Sequence, residues 1–246
     1  MRVIVDGLMT EYVRVGRSDA PVVLMLPGWR ASVADFVGLM KNQTDNFDIV
    51  ALEFPGFGAT ETPPRAWDVQ DYTNFVQKFI EKINLTEIRA IIGHSFGGRI
   101  MLNGCSSGQI SAEKLIFIDS AGVRPKVSTR GKILRIVAKM ARIFPENFRT
   151  KIGRKFSSTD YKATSGVMRE TFKQIINLDL TPQMRQIKQS SLLIWGHDDD
   201  QTPLADAEIF AREIPRAKLE IVENAGHYVF LDQPEKVAKL IAEFLK

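Results

Sequence analysis

The chain has 246 residues, 44% hydrophobic and 25% charged, a balance that excludes a disordered polymer and fits one large globular domain with room for an insertion. A single cysteine, Cys105, excludes a disulfide framework and a Cys-cluster zinc site, and three histidines leave few ways to build a metal centre. The net charge of +4 conceals an asymmetry: residues 121–189 hold sixteen Lys and Arg against four Asp and Glu, so a basic insert sits in an acidic body.

Along the chain, Asp6-Gly7 between two apolar stretches predicts a type I′ hairpin. Val22–Leu26, Ile49–Leu52, Ile88–Ile92, Leu115–Ile118, Leu192–Trp195 and Leu219–Val222 then read as strands. Most are near-continuous and β-branched, as strands covered on both faces are. Tyr72, Phe75, Val76, Phe79, Ile80 and Ile83 share one helical face, with Asp68 placed to cap it. The last helix places Val237, Leu240, Ile241, Phe244 and Leu245 on its face. Strands alternating with helices predict an α/β chain whose mostly parallel sheet is wrapped on both sides.

The alternation breaks after Ile118. From Ala121 to Gln189 no strand run stands out. Ile133, Leu134, Ile136, Val137, Met140, Ile143 and Phe144 fall at helical spacing, and Phe172, Ile175 and Ile176 suggest another helix. The expected organisation is a core of residues 1–120 and 190–246, with a basic helical insertion at 121–189. No apolar run reaches the roughly 18–20 residues that cross a bilayer. The N-terminal stretch turns polar too soon for a signal peptide. A cytoplasmic protein without stable membrane insertion is therefore expected.

The strongest motif is Gly93-His94-Ser95-Phe96-Gly97, followed by Gly98, between a strand and the helical stretch Arg99–Leu102. G-x-S-x-G in that context is a nucleophile elbow. The chain reverses at Ser95, which is held in strained dihedrals with Oγ exposed, and the glycines let neighbouring backbones pass closely. The N-terminus of the following helix favours a developing oxyanion.

On these residues the chain resembles the α/β-hydrolase-fold superfamily over nearly its whole length outside the insertion. The resemblance implies a core of about eight strands, with a helical lid inserted after the sixth. It also implies the chain order serine, acid, histidine. The loop Gly196-His197-Asp198-Asp199-Asp200-Gln201-Thr202-Pro203 fits the family's G-x-x-D-x-x-x-P pattern, which selects Asp199. Three successive aspartates leave the register open, and the end of the preceding strand offers Asp119 as the alternative acid. In Asn224-Ala225-Gly226-His227-Tyr228 the resemblance makes His227 the base, with His94 fixed inside the elbow and His197 in the acid loop. Ser95, Asp199 and His227 are thus the expected catalytic residues. The backbone N–H groups of Phe96 and of Trp29, in Leu26-Pro27-Gly28-Trp29-Arg30, are the expected oxyanion donors. The family often has His-Gly where this chain has Pro27-Gly28, a departure that keeps the glycine.

Glu53-Phe54-Pro55-Gly56-Phe57-Gly58-Ala59-Thr60 resembles the family's D-x-P-G-x-G-x-S stretch and is read as a structural loop. Cys105 is read as a buried structural thiol. Related haloalkane dehalogenases and epoxide hydrolases use aspartate at the elbow, so Ser95 points instead to acyl chemistry. The expectation is a serine hydrolase, a carboxylesterase on a small or medium ester, with no cofactor and no metal. Its partner would be a small acyl substrate, an anionic one included, and not nucleic acid. Two alternatives stand beside it. One is a C–C bond hydrolase on a meta-cleavage dienoate, although such enzymes commonly follow the histidine with tryptophan and this chain has Tyr228. The other is a ligand sensor on the same fold. The sequence gives no oligomeric state. The apolar face of the insertion either lines a pocket or packs on the body, and its dense Lys and Arg either steer an anionic substrate, meet anionic lipid or are simply solvated.

Overall fold

A computed structural model describes residues 1–31, 33–124 and 166–246. Eight strands form one sheet in the order β1-β2-β4-β3-β5-β6-β7-β8. They are β1 (Arg2–Val5), β2 (Leu8–Gly16), β3 (Val22–Leu26), β4 (Asp48–Leu52), β5 (Ile88–His94), β6 (Lys114–Ile118), β7 (Ser190–Gly196) and β8 (Ala217–Val222). β1 and β2 run antiparallel to their neighbours, and every pair from β4 to β8 is parallel. At the β1–β2 turn both Asp6 and Gly7 have positive φ, 51° and 79°, the type I′ geometry that the Asp-Gly pair favours.

The apolar runs form central strands because each serves two cores. Along β6, Leu115 and Phe117 enter one core while Ile116 and Ile118 enter the other. Along β7, Leu193 and Trp195 alternate in the same way with Leu192 and Ile194. With period-two side chains and both faces covered, the inner positions of β6 and β7 are apolar throughout. The outer strand β8 lacks that constraint, and its Ile221 is exposed.

Among the described residues, α1 (Val33–Val37) and a 3-10 segment at Gly38–Gln43 follow β3. Next come α2 (Val69–Lys82), α3 (Phe96–Ser106), α4 (Gly166–Ile176), α5 (Thr181–Met184), α6 (Leu204–Glu213), α7 (Val229–Asp232) and α8 (Pro234–Leu245). Asp68 caps α2 as its spacing predicts: its Oδ1 accepts from Asp71 N–H at 2.9 Å, and Asp71 Oδ2 accepts from Asp68 N–H at 3.1 Å. Val69, Tyr72, Phe75, Val76 and Phe79 form the buried face of α2. Val237, Ile241 and Leu245 do the same for α8.

The helix expected at Phe172–Ile176 is α4, which spans Gly166–Ile176. The helical spacing from Ile133 to Phe144, and with it most of the basic insertion, lies outside the described residues. The residues at the far end of the expected insertion are tied to the rest of the chain. Thr171 Oγ1 accepts from Trp67 N–H at 3.0 Å, and the buried Arg99 on α3 donates to the carbonyls of Ile175 (3.0 Å) and Leu178 (2.7 Å). No helix among the described residues is long and apolar enough to cross a membrane.

Candidate active site

The site lies past the carboxyl ends of β3, β5, β7 and β8, where a parallel sheet opens its crevice. β5 runs into α3 through Ser95, whose φ of 48° and ψ of −110° are strained for a residue with a side chain. Neighbouring strands hold that geometry: Ser95 N–H donates to Ile118 O at 3.0 Å, and Ala121 N–H donates to Ser95 O at 3.0 Å. The elbow tolerates no bulk beside it. A Cβ on Gly97 would collide with the Leu26 carbonyl oxygen, and one on Gly93 would stand 2.6 Å from Gly98 Cα.

Three side chains meet there. Ser95 Oγ lies 3.0 Å from His227 Nε2, and His227 Nδ1 lies 2.8 Å from Asp199 Oδ2. The chemistry assigns the protons. Asp199 as a carboxylate can only accept, so Nδ1 carries the hydrogen and Nε2 is left to accept from the serine hydroxyl. His227 and Asp199 are both buried, at 7% and 5% exposure, so water competes weakly for these bonds. Burial pushes the Asp199 carboxyl up. The hydrogen bond and charge of His227, with the Thr202 side chain and backbone, outweigh it and leave Asp199 below its ordinary value.

Asp199 is saturated with donors. Its Oδ1 accepts the N–H groups of Gln201 at 2.8 Å and Thr202 at 3.0 Å, and Thr202 Oγ1 donates to Oδ2 at 2.6 Å. Asp198 and Asp200 point to solvent, so of the three successive aspartates only the middle one enters the site. His197 is exposed against Asp198 at 2.9 Å. Asp119, the alternative acid, bonds backbone amides and not the imidazole: its Oδ1 accepts from Gly196 N–H at 2.8 Å and its Oδ2 from Val229 N–H at 3.2 Å.

His94 turns away from Oγ as its elbow position requires. Its Nε2–H donates to the His227 carbonyl at 2.8 Å, while the buried Nδ1 has no partner. Burial, reinforced by His227, pushes His94 down to about 3, so it stays neutral. Gly28 lies over this ring, where a Cβ would stand 2.6 Å from His94 Nδ1 and 3.5 Å from Ser95 Cβ. The Gly28-Trp29 turn is thereby seated beside the serine. No described group accepts from the amide N–H of Trp29 or of Phe96, and Phe96 begins α3, where helical N–H groups are unpaired.

An aromatic wall adjoins these amides. The Trp29 ring packs edge-on against Phe57 (4.9 Å), Phe172 (5.1 Å) and Phe96 (5.4 Å). The 53–60 loop supplies Phe57 and closes on itself: Glu53 Oε2 accepts from Ala59 N–H at 2.7 Å and Glu53 O accepts from Thr60 Oγ1 at 2.9 Å. Cys105 is buried on α3, and burial pushes its thiol up to about 12. Among the described residues no three His, Cys, Asp or Glu converge as a metal ion would need.

The sequence reading singled out neither Thr202 nor the amide contacts of Asp119. A signal for the first was present: Asp followed two and three residues later by inward-turned amides is an Asx turn, and Asp199-Asp200-Gln201-Thr202 fits it. The second joins residues 77 and 110 positions apart and leaves no local pattern.

Comparison with known proteins agrees with this fold. The Alpha/beta hydrolase family matches residues 23–240. The chain is similar to Uncharacterized hydrolase YugF of Bacillus subtilis (strain 168), 24% identical over 271 residues and covering 100% of this chain and 97% of that protein. It is similar to Monoacylglycerol lipase ABHD6 of Mus musculus, 25% identical over 254 residues, 92% of this chain and 75% of that one. Among solved structures, a membrane phospholipase A described as a bacterial virulence factor superposes with a TM-score of 0.79 at 23% identity. That superposition covers 100% of this chain and 84% of the other.

Proposed function

The chain belongs to the alpha/beta hydrolase family, and on that footing we propose that it is a serine hydrolase that cleaves carboxylic esters of small or medium acyl chains through Ser95, His227 and Asp199. The observation that carries the reading is the unbroken hydrogen-bonded run from Ser95 Oγ through His227 to Asp199, at 3.0 and 2.8 Å. The aromatic wall beside Ser95 favours an apolar acyl group, and the relative named as a monoacylglycerol lipase supports an ester.

In this mechanism Ser95 Oγ attacks the ester carbonyl while His227 Nε2 takes its proton. The resulting imidazolium is stabilised by Asp199, which also fixes the tautomer. Negative charge forms on the former carbonyl oxygen, and the N–H groups of Phe96 and Trp29, which have no acceptor among the described residues, are the donors for it. A donor of this kind contributes about 3–4 kcal/mol to the transition state. His227 then returns the proton to the leaving alkoxide, which departs as an alcohol and leaves an acyl-serine. Water, deprotonated by His227, attacks the acyl-serine, releases the carboxylic acid and restores Ser95.

The test is initial rates on p-nitrophenyl esters from acetate to dodecanoate, alongside fluorophosphonate labelling of Ser95. Serine-dependent turnover with a chain-length optimum is expected. Ser95→Ala should lower turnover by at least about a thousandfold and leave the melting temperature nearly unchanged. A variant that keeps more than about a tenth of the activity removes Ser95 from the mechanism. Labelling without ester turnover would redirect the search to a dienoate substrate, and absence of labelling would favour a sensor.

A further inference from the structure

Asp119 directly follows β6 and is fully buried, at 0% exposure. It adopts a left-handed φ of 41°, unfavourable for a residue with a side chain. That conformation aims both carboxyl oxygens at backbone amides of other loops. Gly196 N–H, 2.8 Å from Oδ1, lies three residues before Asp199. Val229 N–H, 3.2 Å from Oδ2, lies two residues after His227. The main chain of Asp119 joins in. Its N–H donates to Ile194 O at 3.0 Å, and its carbonyl oxygen lies 3.1 Å from Thr202 Oγ1. Thr202 Oγ1 in turn lies 2.6 Å from Asp199 Oδ2 and 3.2 Å from His227 Nδ1.

One residue therefore reaches the loop of the acid, the loop of the base and the hydroxyl that touches both. We propose that Asp119 is a positioning residue that sets the separation of Asp199 and His227 by bridging Gly196 and Val229. This role rests on the hydrolase reading above. The loops need such a bridge because β7 and β8 pair only up to Gly196 and Val222, short of the reacting groups. Past them, His197 N–H to Val222 O and Asp198 N–H to Ala225 O, both 2.9 Å, lace the acid loop to the stretch before His227. Asp119 supplies the tie on the far side of His227. Burial, with the nearby carboxylates of Asp199 and Asp232, pushes the Asp119 carboxyl up to about 8, while its two amide donors pull it back.

The test is Asp119→Asn in the full chain, beside wild type and Asp199→Asn, at about pH 9, where wild-type Asp119 is a carboxylate with two acceptor oxygens. Asparagine keeps the shape but offers one acceptor oxygen and an NH2 group, so one of the two amides then faces a donor. Fluorophosphonate labelling of Ser95 should slow about tenfold to a hundredfold, as expected for a small misplacement of reacting groups. The ester KM should stay within about twofold, and the low-field Nδ1 proton of His227 should move upfield or vanish. Labelling at the wild-type rate with an unmoved Nδ1 signal overturns the proposal, even when thermal stability falls.

A second measurement uses wild type alone and answers even when Asp119→Asn does not fold. The amide signals of Gly196 and Val229 should shift with one shared midpoint as Asp119 titrates, separate from the midpoints of Asp199 and Asp232. Amides that stay still or shift independently overturn the bridge. A wild-type protein that leaves Ser95 unlabelled refutes the hydrolase reading, while the amide titration still decides for or against Asp119.

Discussion

His94 shows how the elbow constrains more than its serine. Its ring is sealed between the His227 carbonyl and the Gly28 turn, with Nδ1 unpaired, so the folded protein has no place for a second proton. The unfolded chain takes up that proton below the ordinary value of 6.5, whereas the folded chain resists it down to about 3. In that window the unfolded state binds more protons. Stability is lost as pH falls, by up to about 1.4 kcal/mol per pH unit. His94→Gln, which keeps a donor but does not titrate, should flatten the dependence of urea-unfolding free energy on pH between about 6 and 4. An unchanged slope would show that His94 accepts its proton in the native state. Ser95 and His227 were readable from local text, because an elbow and a strand-end histidine are short patterns. Asp199 was selected only by resemblance to the family's G-x-x-D-x-x-x-P pattern, with Asp119 left as the alternative. The contacts of His94 with the His227 carbonyl, of Thr202 with His227 and of Asp119 with Val229 were not readable, since each joins groups far apart in the sequence.

The strands were legible for a physical reason. Runs such as Val22–Leu26 must satisfy two cores, and that demand leaves a continuous apolar text. Their order was not, because the placement of β4 between β2 and β3 depends on crossovers that no single run encodes. Helix α2 was readable from both its stripe and its cap, and the cap has a measurable consequence. Asp68→Ala removes the acceptor for Asp71 N–H and should cost about 0.5–2 kcal/mol in urea unfolding, with Ser95 labelling unaffected. A loss of labelling would show that α2 communicates with the elbow. Arg99 works between elements, tying α3 to the end of α4 and the turn after it through the carbonyls of Ile175 and Leu178. A buried arginine among carbonyls was invisible in the sequence, because its acceptors lie 76 and 79 positions away.

The two cores and the sheet between them leave Cys105 as the only thiol, sealed on α3 and pushed up to about 12. It should be silent toward thiol reagents at about pH 8 until the chain unfolds, and then react once per molecule at a rate set by global opening. Fast reaction of the native protein would expose a local opening of α3. A further consequence follows from the distance in sequence between Ser95 and His227, 132 positions, bridged by a single 3.0 Å contact. A ribosome adding roughly 5–20 residues per second needs about 7–26 s to travel from one to the other. Throughout that interval the emerging polypeptide carries a serine with no base to activate it. Under the proposed mechanism a premature stop anywhere before position 227 yields a chemically mute product, and acyl transfer to a half-made chain is ruled out by the order of translation.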